Sequence, residues 1–287
     1  MKPAPFKYLR AETPRHAVAL LKEYEGAARL LAGGQSLIPM MNLRLSRPEV
    51  LVDIGRLPLN RISVNPGSIN IGALACHRQV MTSKEVAAAC AIIPQAMRRI
   101  GHPTIRNQGT AGGSLANADP TAEICALAML LDAKIDVLSG NGSRTIAAAD
   151  FFAGAFTTAL GSDEMITAMH LYPPPVRHGS SFLEVSERKG DFAIAAAGAT
   201  AVIKNGVVEE ARIVLSGARS APVRAQAAER LLIGKPTDSK LIEKAADAAL
   251  EGEECYSDIR ASAPYRRDVL RCLVGRVLAE AWGKAGG

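Results

Sequence analysis

The sequence predicts an α+β protein built from three consecutive parts. Helical and strand patterns alternate along the first half, where amphipathic stretches are followed by short apolar runs that end in glycine turns. Two hairpins are indicated by Asn141-Gly142 and Asn205-Gly206, each flanked by strand-forming residues. Three consecutive prolines in LYPPPVRHGSS cannot continue a helix or a central strand, so they mark a break. We expect parts spanning residues 1–55, 56–175 and 176–287.

The first part reads as a small β/α unit. The stretch PRHAVALLKEYEG has helical spacing, with Thr13 as the cap and Pro14 at the first helical position. ARLLAGG predicts a buried strand that runs into a glycine turn, and SLIPMMNLRL suits a helix. EVLVDIG predicts a further strand that ends near Gly55.

The remaining elements follow the same rules. SINIGAL is strand-like, and SKEVAAACAIIPQAMRRIG predicts helix on both sides of Pro94. DPTAEICALAMLLDA predicts a strong helix with Asp119 at the N-cap and Pro120 at the first position. Beyond the hairpin at Asn205-Gly206, three helical segments are expected around residues 221–233, 241–250 and 265–282.

Composition excludes several function classes. The net charge is +6, but the basic residues are scattered and only 4% of residues are aromatic, which argues against nucleic-acid binding. The pairs Arg98-Arg99 and Arg266-Arg267 are the densest basic clusters, and we expect either a solvated basic surface or one that faces an acidic partner protein, with Arg266 and Arg267 as a candidate docking patch. No apolar run reaches membrane-spanning length and MKPAPFKYLRAETP lacks an apolar signal core, so we expect a cytoplasmic protein with no membrane insertion.

The number and spacing of the cysteines exclude two kinds of metal site. The sequence has 5 cysteines and no C-x-x-C pair, which argues against a zinc site or an iron–sulfur cluster in this chain. The odd number fits reduced thiols.

Two similar glycine loops are the main functional signal. LAGGQS (31–36) and TAGGS (110–114) share Ala-Gly-Gly before serine, and each precedes a probable helix. Bare amides in such loops can converge on an anion, and a Cβ would keep a pyrophosphate away from them. Each loop alone could equally be a tight turn, but two matching loops favour a phosphate ligand. The P-loop and Rossmann patterns are both absent. A dinucleotide held outside those frameworks suggests a flavin.

Three ordered motifs resemble one family over nearly the whole chain. They are LLAGGQSLIPMMNLRLSRPEVLVDI, GHPTIRNQGTAGGSLANADPTAE and ERKGDFAIAAAGATAVI. Together they resemble the FAD-binding medium subunit of molybdenum hydroxylases, a family that includes the carbon monoxide dehydrogenase medium subunit and the xanthine dehydrogenase flavin domain. The resemblance implies a two-subdomain FAD-binding cradle of the PCMH type (vanillyl-alcohol-oxidase-like). It also implies a C-terminal α+β domain with a three-stranded antiparallel sheet and helices.

The resemblance also assigns cofactor contacts, residue by residue. The two loops supply Ala32, Gly33, Gly34, Gln35 and Ser36, and Thr110, Ala111, Gly112, Gly113 and Ser114. Gln35 departs from the histidine or threonine that is frequent in relatives.

Five further positions match the family. Ile100 aligns with an apolar position beside the flavin, and Ile166 with an apolar wall near the adenine, although both would suit a core equally well. Asn117 aligns with a polar contact. Glu123 falls where relatives often carry an aspartate bonded to cofactor hydroxyls, with a solvated helix charge as the alternative. Phe192 replaces a tyrosine that some relatives place against the flavin ring, so stacking is kept and the hydroxyl is lost.

The implied function is electron transfer, with no acid, base or nucleophile of this chain's own. A large partner subunit would carry a molybdenum cofactor, and a small partner would carry two [2Fe–2S] clusters that pass electrons to this chain's FAD. Two such three-subunit units commonly pair in the family. A self-sufficient FAD-dependent oxidoreductase and a non-redox phosphate- or nucleotide-binding module remain as alternatives.

Overall fold

The first part of the chain is a small parallel sheet with two helices. The computed structural model describes residues 2–174 and 177–286. Three strands lie in the order β1-β3-β2, and all their pairings are parallel. The elements are β1 Lys7–Arg10, α1 Pro14–Glu23, β2 Ala28–Leu31, α2 Leu37–Asn42 and β3 Val50–Asp53. The four predicted elements, α1, β2, α2 and β3, are therefore confirmed in their order, whereas strand β1 was not predicted.

Helix α1 shows why these elements form where the sequence places them. The Thr13 hydroxyl accepts a hydrogen bond from the amide of His16 at 3.0 Å, and Pro14 occupies the first turn, where no amide donor is needed. The helix buries Ala17, Val18 and Leu21 against the sheet. The helix start and the buried face both follow from local sequence.

The middle part is a five-stranded sheet surrounded by short helices. Its order is β4-β5-β10-β6-β7, and β10 lies between strands that are far from it in sequence. The strands of this sheet are β4 Ile62–Asn65, β5 Ser68–Gly72, β6 Lys134–Ser139, β7 Gly142–Ala147 and β10 Met165–Leu171. Two further strands, β8 Phe152–Gly154 and β9 Thr157–Thr158, form a separate two-stranded sheet. The helices are α3 His77–Thr82, α4 Lys84–Ala89, α5 Ile92–Met97, α6 Pro103–Gln108, α7 Ala111–Asn117, α8 Glu123–Leu130 and α9 Ala148–Phe151.

Three local predictions in this part need correction. The hairpin turn between β6 and β7 is Gly140-Asn141, one residue earlier than predicted, because Ser139 pairs with Gly142. The helix break falls at Cys90 instead of Pro94, which lies in the first turn of α5. A proline is tolerated there because first-turn amides have no partner inside the helix.

The start of α8 is also displaced. This helix begins at Glu123, and its N-cap is Ala122 and not Asp119. The Asp119 carboxylate instead accepts hydrogen bonds from the amide and the hydroxyl of Thr121, at 2.9 and 2.7 Å. This turn, formed by an Asp side chain, competes with helix initiation and delays it by three residues.

The C-terminal part is an antiparallel sheet covered by helices. Three long strands, β11 Gly179–Val185, β12 Ala195–Lys204 and β13 Val207–Ser216, are followed by a two-residue edge strand, β14 Val223–Arg224. The helices are α10 Gln226–Leu232, α11 Ser239–Ala248 and α12 Ala263–Gly286. The α+β fold class is confirmed, as is the hairpin turn at Asn205-Gly206.

The predicted boundaries and the predicted position of Arg266 have different outcomes. The division at residues 55/56 and 175/176 stays a prediction, and the second boundary lies outside the described residues. The expectation that Arg266 faces a partner is wrong, since its side chain is 0% exposed. It donates to the carbonyl of Gly217 at 2.8 Å, pairs with Asp258 at 2.7 Å and stacks on Tyr256. Among the described residues, no helix is both long and apolar enough to cross a membrane.

Candidate functional site

A large cavity lies where the three parts of the chain meet. Its volume is about 680 Å³, within the range of sites that enclose a cofactor-sized ligand. The walls come from the first glycine loop, from the second glycine loop and α8, and from residues 190–192 of the C-terminal part. The predicted contact residues that line it are Ala32, Gly33, Gly34, Gln35, Ser36, Ile100, Thr110, Gly112, Gly113, Ser114, Asn117, Glu123, Ile166 and Phe192.

Ala111 is the predicted contact that does not line the cavity. Its side chain is fully buried in the core of the middle part, and its amide donates to the carbonyl of Ala75 at 2.9 Å. The spacing of the second loop turns this side chain inward while its neighbours face the cavity. Whether the remaining positions contact FAD stays a prediction.

The first glycine loop presents unused amides. Within residues 2–174 and 177–286, the amides of Gly33, Gly34, Gln35 and Ser36 donate to no protein acceptor. Gly34 has a φ of 72°, a left-handed conformation that bends the loop around these donors. Successive amides exposed in this way form a concave site for an anion. This loop therefore has the geometry that a pyrophosphate requires.

The amides of the second loop are already hydrogen-bonded within the protein, contrary to the prediction. The amide of Gly112 donates to the Ala73 carbonyl at 2.8 Å, and that of Gly113 donates to the Thr110 hydroxyl at 3.2 Å. The amide of Ser114 is also taken, by the Thr110 carbonyl. These residues form the first turn of α7, so the prediction that bare amides of this loop face the ligand is wrong.

The glycines of the second loop permit close packing instead. A Cβ on Gly112 would lie 2.6 Å from the Cβ of Ala73, and one on Gly109 would lie 2.8 Å from the ring of His77. Both distances are shorter than real Cβ contacts. The bare backbone allows α7 to lie directly on the strand end at Ala73, which brings Ser114 to the cavity wall.

The two loops touch each other without side chains between them. A Cβ on Gly33 would lie 2.7 Å from the carbonyl carbon of Gln108 and 2.9 Å from the Cα of Gly109, with the Gln108 oxygen closer still. Only glycine allows this approach. The spacing of the first and second parts, and with it the width of the cavity, depends on this contact.

His77 is a site residue that the sequence analysis missed. It is 2% exposed, lines the cavity, and its Nε2 lies 3.0 Å from the Ser114 hydroxyl. Burial, together with the nearby positive charge of Arg106, lowers its pKa to about 4, so the ring is neutral at pH 7. Its partner is 37 residues away, and GALACHRQV contains no local pattern that singles it out.

Asp119 and Glu123 lie on another wall of the cavity, and Glu184 is close to Glu123. Burial, together with the negative charges of Glu184 and Asp119, raises the pKa of Glu123 to about 8. Burial likewise raises the pKa of Glu184 to about 7, and among the described residues its Oε2 has no hydrogen-bond partner. The alternative of a solvated helix charge is therefore wrong for Glu123. At neutral pH this carboxyl is largely protonated and can donate a hydrogen bond into the cavity.

Arg106 has a structural role. Its guanidinium donates to the carbonyls of Ile100 and Gly101 at 2.7 and 2.8 Å. These bonds to two main-chain carbonyls give the guanidinium a structural role. The arginine shapes the turn that carries Ile100 to the cavity.

The C-terminal part contributes the rim. The side chain of Phe192 is 67% exposed at the cavity mouth, and its carbonyl accepts a hydrogen bond from Arg260. Gly190 has a φ of 88°, and a Cβ there would lie 2.7 Å from the Gly101 carbonyl oxygen. The rim therefore rests on the middle part through a second contact between backbones.

These features fit FAD. Unused loop amides suit a pyrophosphate, Ile100 and Ile166 provide apolar walls, and an exposed aromatic ring at the mouth can stack on a planar ligand. Two histidines, His77 and His102, line the cavity although neither lies in a glycine loop. Among the described residues there is no cluster of potential metal ligands.

Comparison with known proteins agrees with this geometry. Residues 4–174 match the family described as the FAD binding domain in molybdopterin dehydrogenase, and residues 180–281 match the CO dehydrogenase flavoprotein C-terminal domain. The resemblance stated from the sequence motifs is confirmed.

Individual relatives cover the same length. The chain is 39% identical to the 6-hydroxypseudooxynicotine dehydrogenase complex subunit alpha of Paenarthrobacter nicotinovorans, over 99% of this chain and 97% of that protein. It is 34% identical to the carbon monoxide dehydrogenase medium chain of Afipia carboxidovorans, over 99% of each. Among solved structures, a chain of carbon monoxide dehydrogenase from Hydrogenophaga pseudoflava superposes with a TM-score of 0.96 at 34% identity, over 99% of each chain.

Proposed function

Because the chain belongs to the family of FAD-binding flavoprotein subunits of molybdopterin dehydrogenases, we propose that it is the electron-exit subunit of a multi-subunit molybdenum hydroxylase. In this role it receives electrons from the [2Fe–2S] clusters of a partner and delivers them to an external acceptor. The observation that carries the proposal is the cavity lined by residues 33–36, whose amides have no acceptor in the described chain, by Ser114 and, at the mouth, by Phe192.

The protein's own residues bind and orient the cofactor. The first loop donates hydrogen bonds to the phosphates, and Ile100 and Ile166 exclude water from the walls. The protonated Glu123 holds its proton towards a hydroxyl or ring acceptor of the ligand. Bound FAD takes up electrons singly and releases them in pairs, which suits it to the exit point of such a chain.

We assign the other centres to partner subunits. The relatives are themselves named as a complex subunit and a medium chain, which supports a large molybdenum-cofactor subunit and a small iron–sulfur subunit as partners. The cysteines of this chain are widely spaced in sequence, whereas iron–sulfur ligands cluster. We propose a dimer of heterotrimers, and a cytoplasmic location in keeping with the free cysteines.

The proposal is tested by purifying the chain alone and co-expressed with the products of neighbouring genes. We expect the chain to release about one FAD on denaturation, with iron–sulfur and molybdenum signals in the co-purified complex only. In the complex, substrate should reduce the flavin, and a variant that loses FAD should still reduce its clusters but no longer the external acceptor.

Other results would identify the alternatives. Turnover by the flavin-loaded chain alone would establish a self-sufficient oxidoreductase and refute the electron-exit role. A colourless preparation that binds free nucleotides or phosphate would point to a non-redox module.

A further inference from the structure

We infer that His77 is a positioning residue that fixes the Ser114 hydroxyl as a hydrogen-bond donor towards the phosphates of the bound cofactor. The inference rests on the proposed function, because it concerns how the same cavity holds FAD. His77 does not belong to either glycine loop, and the sequence resemblance assigns no role to it.

The first observation is how firmly His77 is tied to the second loop. Its amide donates to the Gly109 carbonyl at 3.0 Å, and its Nε2 lies 3.0 Å from the Ser114 Oγ. Gly109 lies so close to the ring that any side chain at this position would collide with it. The ring is therefore held in one orientation, with Nε2 directed at the hydroxyl.

The second observation is the other ring nitrogen. Nδ1 of His77 is buried and has no hydrogen-bond partner among the described residues. A neutral imidazole carries one proton, on Nδ1 or on Nε2. A proton on Nδ1 would leave a buried N–H donor without an acceptor, which is rare in native proteins. A proton on Nε2 is donated to the Ser114 oxygen and leaves only a lone pair unused.

The consequence concerns the serine. When the Ser114 oxygen accepts from Nε2, its own hydrogen cannot point back at the ring and is donated elsewhere. Ser114 lines the cavity, and a Cβ on its neighbour Gly113 would lie 3.9 Å from Ala32 of the first loop. The hydroxyl therefore lies on the wall of the cavity that the first loop, with its unused amides, also lines. A hydrogen bond from it to a phosphate is charge-assisted and stronger than one to a neutral group.

The inference can be tested by titrating the flavin-free full-length chain with FAD and with riboflavin, which lacks the phosphates. We expect Ser114→Ala to weaken FAD binding about 10- to 100-fold, as for a lost hydrogen bond to a charged group. His77→Phe, which fills the space but donates nothing, should weaken it about 5- to 10-fold. Riboflavin binding should be unchanged in both variants. His77→Gln restores an N–H donor and should keep FAD affinity within about threefold of the wild type.

The decisive comparison is the double variant. His77→Phe should have no further effect on FAD affinity when Ser114 is already alanine, because His77 acts through that hydroxyl. Additive losses, or an equal loss of riboflavin affinity, would show a merely structural role and overturn the inference.

A second measurement uses only the wild-type chain, so it does not require any variant to fold. Nitrogen-15 NMR of the wild-type chain should show the His77 proton on Nε2, with and without FAD. A proton on Nδ1 would refute the inference. A wild-type chain that binds no FAD would refute the proposed function instead, and the tautomer measurement would still test His77.

Discussion

Gly33→Ala tests whether the contact between the two glycine loops sets the cavity. The new Cβ would lie 2.7 Å from the Gln108 carbonyl carbon, whereas ordinary contacts begin at 3.4 Å. The neighbouring atoms are backbone, so no side chain can rotate away, and the loops must separate by at least about 0.7 Å. Overpacking of this kind costs about 1–3 kcal/mol. Gly33 does not have a left-handed φ, so the effect comes from the collision alone.

The expected result is a loss in both stability and affinity. If the flavin-free chain bears about half of this cost and binding adds the other half, FAD affinity falls about 3- to 10-fold. The midpoint of thermal unfolding of the flavin-free chain should fall by about 2–4 °C. Both are measured on the purified full-length chain, by flavin fluorescence titration and by circular dichroism during heating.

The matched control is Gly154→Ala. No atom lies within 4 Å of a Cβ built at this position, and it does not have a left-handed φ either. Its affinity and midpoint should match those of the wild type. If Gly33→Ala bound FAD as tightly as the control and unfolded at the same temperature, the loops would not be held at this distance and our account of the cavity width would be refuted.

Three further predictions concern buried charges. In the folded state the pKa of Glu123 is raised to about 8, so its contribution to stability is present below its ordinary value and lost as pH rises through 8. The free energy of unfolding of Glu123→Gln, relative to that of the wild type, should therefore increase by about 2 kcal/mol between pH 5 and pH 8.5, a figure discounted for partial exposure. The comparison is made from the unfolding midpoints of both proteins at both pH values. If the difference between the two proteins were the same at both pH values, the raised pKa would be contradicted. Arg266→Met should lower the free energy of unfolding in urea by about 1–3 kcal/mol, because the buried carbonyls of Ile194 and Gly217 lose their donor, whereas the same change at the exposed Arg267 should cost under about 0.5 kcal/mol. Arg106→Met should lower the free energy of unfolding by about 1–3 kcal/mol in the same assay and weaken FAD binding, because the carbonyls of Ile100 and Gly101 lose their donor. Unchanged FAD affinity would show that this turn keeps its conformation without the arginine.

Elements with strong local signals could be predicted from the sequence. Thr13 and Pro14 mark the start of α1 because the capping hydroxyl and the proline act within one turn. The turn at Asn205-Gly206 is fixed by the positive φ that both residues adopt there. The predicted contact residues, apart from Ala111, do line the cavity, and most of them lie within the three family motifs, which carry them as ordered blocks.

The errors have a common physical origin. The state of the amides of the second loop depends on Ala73, which precedes it by nearly forty residues. The burial of Arg266 depends on carbonyls of Ile194 and Gly217, and the role of His77 depends on Ser114. Local sequence patterns do not show which distant acceptor a donor will bind in the folded chain. They also do not show which basic residue will be buried. Such contacts are visible only once the chain has been folded.

The spacing of the walls of a cavity and the chemistry of its lining residues usually vary together. The backbone contacts at Gly33 and at Gly190 separate these two properties. In both, main chain meets main chain, so at these two contacts no side chain sets the spacing. Replacements at Gln35, Glu123 or Phe192 can therefore alter the polarity, proton content and entrance of the site while these contacts keep their positions. Relatives with the same backbone contacts can thus change the chemical surroundings of the bound cofactor by single substitutions that leave the packing between the loops intact.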